Sequence, residues 1–160
     1  MPQKKASNTK RTTPLADVIN DRVLGKLVFS TALDQTVEFQ GKVKLSGRTV
    51  TMDLYTDAEG KLGPCILRAR RIVENFPAIE IKMQNYIAKK IFPSYNETFR
   101  PGKKPFALDQ LLSKLKLRFV TTHPEPRATF WFEAGNAFAG HGLQLFMAER
   151  NRIVDHDMPG

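Results

Sequence analysis

The chain has 160 residues, 41% hydrophobic and 26% charged, and its 25 Lys and Arg against 16 Asp and Glu give a formal net charge of +9. That size fits one domain with a sizeable core, and the composition excludes disordered, collagen-like and disulfide-rich classes. No apolar run approaches the ~18–20 residues of a membrane helix, so no membrane partner is expected.

The first 14 residues (MPQKKASNTKRTTP) set Lys4, Lys5, Lys10 and Arg11 among small polar side chains. So little apolar surface does not offset chain entropy, so residues 1–14 read as a basic, disordered arm and 15–160 as one domain. The arm lacks the apolar core of a secretory signal. Cys65 is the single cysteine, which leaves no intrachain disulfide, and together these features point to a reducing cytoplasm.

In chain order, Leu15, Val18, Ile19 and Arg22 stand at helical spacing and predict a short first helix over 14–23. From Gly25 the period becomes two, with Leu27 and Phe29 alternating against Lys26 and Val28, and a turn follows through Ala32, Leu33, Asp34 and Gln35. In 36–45, Val37, Phe39, Val43 and Leu45 share one face, and Gly41 between them suggests a bulge or bend. Ser46-Gly47 then separates this strand from 48–56, which predicts a tight hairpin. After Gly63-Pro64 the period is helical, with Ile66, Ala69, Ile72 and Val73 on the face opposite Arg68, Arg70, Arg71 and Glu74.

Phe76-Pro77 interrupts this helix. A second helix starts there and runs to about Phe92, where Lys89 and Lys90 suit the negative pole of the helix dipole. Residues 93–105 (PSYNETFRPGKKP) read as the one long internal loop, and a short helix covers about 106–114. In 115–122, Leu117, Phe119 and Thr121 alternate with Lys116, Arg118 and Val120. Strands are predicted at 128–133, 142–148 and 152–155. The order of β-meander, helices and second meander predicts an α+β fold: an antiparallel sheet built from N- and C-terminal meanders with central helices on one face.

Chemistry-bearing motifs are few. The run from Gly135 to His141 has the two-glycine spacing of a phosphate-binding loop, but His141 stands where the lysine belongs and a strand follows where a helix is required. The glycines read instead as turn residues with positive φ, and His141 as a histidine clamping that turn. His123 and His156 lie in unrelated contexts, and neither a metal site nor a cofactor is expected. Cys65, on an apolar helix face, reads as packing. The strongest electrostatic feature is the set Arg68, Arg70 and Arg71 with the loop residues Arg100, Lys103 and Lys104, which would attract phosphate or an acidic protein surface if they converged.

The run 128–160, with Thr129-Phe130-Trp131-Phe132, a Gly-Asn turn, Phe138-Ala139-Gly140-His141-Gly142 and a closing hairpin, resembles the final segment of an uncharacterised prokaryotic family. Its members join a hairpin of the Glu38-Phe39-Gln40-Gly41-Lys42-Val43 kind to central helices and a closing Phe-x-Gly-His strand, so the resemblance spans about residues 25–160. It implies no enzyme activity. Bacterial immunity proteins share this size and layout, which by analogy implies a protein that binds and blocks a partner. The basic arm and the pI of about 9.9 depart from the acidic inhibitors of nucleases and point to a partner with an acidic surface.

The leading expectation is therefore a non-enzymatic protein-binding module of the cytoplasm, of an immunity or inhibitor type. The alternative is a nucleic-acid-binding accessory protein using the arm and the Arg68–Arg71 and Lys103–Lys104 surface. His141, with an acidic partner, would be the centre of an enzyme, the reading ranked last. The binding candidates are Arg68, Arg70, Arg71, Arg100, Lys103, Lys104 and His141.

Overall fold

A computed structural model describes residues 17–31 and 37–159. The arm over 1–14 and the turn expected through 32–35 lie outside those residues. Eight strands form one sheet in sequence order: β1 Val18–Asp21, β2 Gly25–Thr31, β3 Val37–Leu45, β4 Arg48–Tyr55, β5 Lys116–Thr122, β6 Ala128–Glu133, β7 Leu143–Ala148 and β8 Arg152–Asp157. Between the meanders lie α1 Gly63–Glu74, α2 Phe76–Tyr86, a π turn Ile87–Ile91, α3 Phe92–Phe99 and α4 Leu108–Lys114. The α+β expectation holds. All neighbouring strands are antiparallel except β4 and β5, whose helical connection returns the chain to the starting end and makes that pair parallel.

The helices bury their apolar stripes against one sheet face. Cys65, Ala69 and Ile72 of α1, Phe76, Ile79 and Met83 of α2, and Ile87, Ile91 and Tyr95 join Phe39, Val43, Met52, Leu54, Val120, Phe130 and Leu145 in one core. The hairpin over Ser46-Gly47 is as expected: both residues have positive φ (46° and 77°) and Leu45 pairs with Arg48, as a two-residue turn requires.

Four local expectations need correction. The first predicted helix is strand β1 over its described part, because four residues at helical spacing are too few to nucleate a helix while β2 offers a ladder, Val18 to Val28 through Asp21 to Gly25. Gly41 makes no bulge, since β3 pairs with β4 without a register break. It permits close packing instead: a Cβ there would meet Leu27 Cδ2 at 2.7 Å and the Lys26 carbonyl oxygen at 3.0 Å.

The segment from residue 93, expected as a loop, is helical in its first part. The helix passes through Pro93 and ends at Phe99. Pro93 has no N–H for the Lys89 carbonyl, and the chain answers with a π turn in which the Phe92 N–H donates to the Ile87 carbonyl. Lys89 and Lys90 thus sit within a continuous helical stretch and not at its end. Lastly, β5 carries a register shift between Leu117 and Phe119, so Leu117 and Val120 are buried while Arg118 and Phe119 face outward.

Candidate functional site

The sheet face opposite the helices carries a defined side-chain pattern. Strand registers place Gln40, Asp53, Thr121, Thr129, Phe146 and Asp155 in one cross-strand row, and Lys42, Thr51, Phe119, Trp131, Gln144 and Asp157 in the next. Phe119 is 44% exposed and Trp131 39%, large fractions for residues of that size in mid-sheet. The small polar residues between them, Thr51, Thr121, Thr129 and Gln144, are buried. Large apolar rings therefore stand above a hydroxyl and amide floor.

At the C-terminal ends of β4 and β5 this face deepens into a cleft of about 630 Å³, lined by residues of β4 to β7 and their connections and by no helical residue. Parallel pairing of β4 and β5 brings Tyr55 and His123 to the same end, where their rings stack at 5.5 Å with 5° between planes. Burial, reinforced by the Arg127 charge, holds His123 below its ordinary pKa, so it is neutral at pH 7. Burial pushes the Asp53 carboxyl up, opposed by a 2.9 Å hydrogen bond from the Gln40 amide and by the Lys42 charge. Lys42 Nζ also donates to the Thr51 hydroxyl at 2.5 Å.

The basic residues singled out by sequence do not gather in one place. Arg68 donates to the His123 carbonyl and, at 2.5 Å, to the Glu125 carbonyl, pinning the β5–β6 turn. Arg70 binds Asp21 through Nε at 2.9 Å and a terminal nitrogen at 2.5 Å. Arg71 is exposed. Arg100 lies 3.6 Å over the Phe106 ring and donates to the Lys104 carbonyl, beside exposed Lys103 and Lys104.

Phe106 stacks on Tyr95, whose hydroxyl donates to the Ala137 carbonyl beyond the end of β6. That is the end of the sheet opposite to the one Arg68 holds. His141 is exposed, and it closes the turn through its backbone amide, which donates to the Phe138 carbonyl at 3.0 Å, and not through its ring. Gly140 in that turn has φ 92°. Cys65 is buried, its thiol pushed up to about 11 by burial. Among the described residues no group of three His, Cys, Asp or Glu side chains gathers to hold a metal ion, and no helix is long and apolar enough to cross a membrane.

Sequence reasoning missed the aromatic cleft. His123 looks like a loop residue until β4 and β5 are known to be parallel, and the signal that could place Trp131 outward is its alternation with Phe130, which is buried. The pattern of a bacterial family described as an uncharacterised protein conserved in bacteria matches residues 21–158. The chain belongs to the DUF2262 family. No curated protein and no solved structure matches it. The DUF2262 match begins at Asp21, the partner of Arg70, and takes in the open sheet face and the cleft, while the basic arm lies outside it.

Proposed function

We infer that this protein is a non-enzymatic, cytoplasmic protein-binding module that docks a protein partner on the open sheet face, in the manner of an immunity-type inhibitor. The observation that carries this reading is the pair of exposed rings, Phe119 and Trp131, directly opposite each other in mid-sheet. Aromatic anchors beside a deep pocket, with polar groups between them, are the composition of protein-interface hot spots.

The charges around these rings favour a protein over nucleic acid. Lys42 lies on the β3 side and Arg118 pairs with Glu133 (2.6 Å from Nε), while Asp155 and Asp157 close the same rows at β8. Carboxylates at that margin would repel a phosphodiester chain laid across the face, whereas a partner whose acidic surface meets Lys42 and Arg127 satisfies both sides. The expectation of an acidic partner surface is thereby narrowed to the β3 side and the β5–β6 turn.

Affinity purification of the full chain from its host, alongside a Phe119→Ala/Trp131→Ala variant, tests the reading. Wild type should retain one stoichiometric protein at both low and moderate salt. The double variant, with an unchanged thermal midpoint, should lose it by roughly 30-fold or more, as hot-spot truncation does. Equal recovery by the variant, or no stoichiometric protein, overturns the reading. A homodimer that dissociates on Trp131→Ala overturns it too, since the face would then be covered by a second copy.

A further inference from the structure

We propose that the cleft between β8 and the helical stretch over residues 82–90 binds the phosphate group of a small phosphorylated ligand. The site stands apart from the open sheet face and does not depend on the docking reading. Lys82, Lys89, Lys90 and Arg152 line a hollow of about 290 Å³, with Tyr86 and Ile153 in its wall. Among the described residues, none of the four cations takes part in an ion pair. An anion bound in the hollow would draw on all four charges at once.

The acidic residues of β8 do not fill that role. Asp155 and Asp157 pair with Phe146 and Gln144, in the rows of the open face, and although the Asp155 charge reaches Tyr86, among the described residues neither carboxylate forms an ion pair with the four cations.

The backbone of the helical wall is unusual where it presents its cations. Lys89 and Lys90, both exposed, lie in the π turn that Pro93 imposes, a local widening often found at functional sites. On the other wall Arg150 (φ 58°) and Asn151 (φ 53°) are consecutive non-glycine residues in the left-handed region directly before Arg152. This left-handed pair turns the β7–β8 hairpin and sets Arg152 directly after it. Lys82 Nζ reaches the Arg150 carbonyl at 3.4 Å and ties the walls together. Tyr86 is fixed by a 3.0 Å hydrogen bond between its hydroxyl and His156 Nδ1.

Three ammonium groups and one guanidinium suit a dianionic phosphate: Arg152 can donate two parallel bonds while the lysines act as point charges. The hollow matches the low end of small-molecule sites, ~300 Å³. Tyr86 and Ile153 supply an apolar wall for a short organic group. A nucleic acid would need a track of cations with stacking platforms, whereas these four converge on one hollow.

The test is a titration of the full-length, ¹⁵N-labelled protein with pyrophosphate and with ribose 5-phosphate at roughly 50 mM salt, where screening is modest. Sulfate at matched ionic strength and a short single-stranded RNA form separate arms. Saturable amide shifts confined to 82–90 and 150–153 are expected with both phosphate probes. Lys89→Ala/Lys90→Ala should weaken them about tenfold at unchanged thermal midpoint, and Arg152→Lys should fall between that variant and wild type, since it keeps charge and loses the bidentate fork.

The proposal is overturned by absent shifts, by equal affinity for sulfate, or by variants that bind like wild type. RNA that binds far more tightly than either phosphate probe, with shifts spreading beyond the cleft, also overturns it and assigns the surface to nucleic acid.

Discussion

Asp21 shows how much a single side chain contributes here. Its Oδ1 accepts from the Val23 and Leu24 amides at 2.9 and 3.0 Å, closing the β1–β2 turn, while Oδ2 takes the Arg70 guanidinium. The Arg70 hydrogen bonds, more than the two amides, hold its carboxyl at about 2 against an ordinary 3.8. A depressed carboxylate pKa means the unfolded state binds the proton more readily, so this contribution is complete above pH 3.8 and is lost as pH falls towards 2. Asp21→Ala should cost about 2 kcal/mol at pH 7 in urea unfolding, and the difference from wild type should vanish at the acid end.

His123 runs the same way at a higher pH, because burial lowers it below the ordinary 6.5. Stability should fall as pH drops below 6.5, and His123→Phe, which keeps a ring against Tyr55, should flatten that part of the profile. Gly41→Ala should cost about 1–3 kcal/mol, since the added methyl meets the Lys26 backbone as well as a leucine that can turn aside.

At the scale of elements, the sequence was most legible where a period ran unbroken. The Phe39, Val43, Leu45 face, the Ala69, Ile72 stripe and the Leu143, Leu145, Met147 alternation are all core. It was least legible where one residue reset the period. Ile87, Ile91, Tyr95 and Phe99 keep i, i+4 spacing straight through Pro93, so α3 was written in the sequence. The proline masked it, because its rule forbids an α-helical interior but not the turn after a widened one.

The bulge at Arg118 likewise moved Phe119 from an expected alternation partner of Leu117 to the open face. No residue type announces such a shift. α3 is fastened to the β6–β7 connection by the 2.7 Å bond from the buried Tyr95 hydroxyl to the Ala137 carbonyl. Tyr95→Phe leaves that carbonyl without its donor and should cost about 1–3 kcal/mol. Hydrogen exchange should accelerate at 134–138 and in α3 together, and acceleration in only one would contradict the coupling.

For the whole molecule, topology changes the meaning of the charge. The net excess of +9 does not make one cationic surface, because the candidate residues are spread over the fold. Arg68 and Arg70 hold turns, while Arg100 caps an aromatic cluster at the other end of the sheet. Beside β8, Arg152 meets Lys82, Lys89 and Lys90 of the helical stretch, which lie more than 60 positions earlier in the chain. Two meanders joined through a parallel pair leave one face to the helices and the other open, and the stacked rings of the cleft, Tyr55 and His123, come from positions 68 residues apart in the chain. No local pattern carries that meeting.

The only tryptophan of the chain is Trp131, at the centre of the open face. That makes the docking claim directly measurable: with 5-fluorotryptophan incorporated, the protein has a single ¹⁹F resonance to follow as the copurified partner is added. Docking on this face shifts and broadens that resonance in proportion to the complex formed. A complex that reaches saturation with the Trp131 resonance unmoved would contradict it.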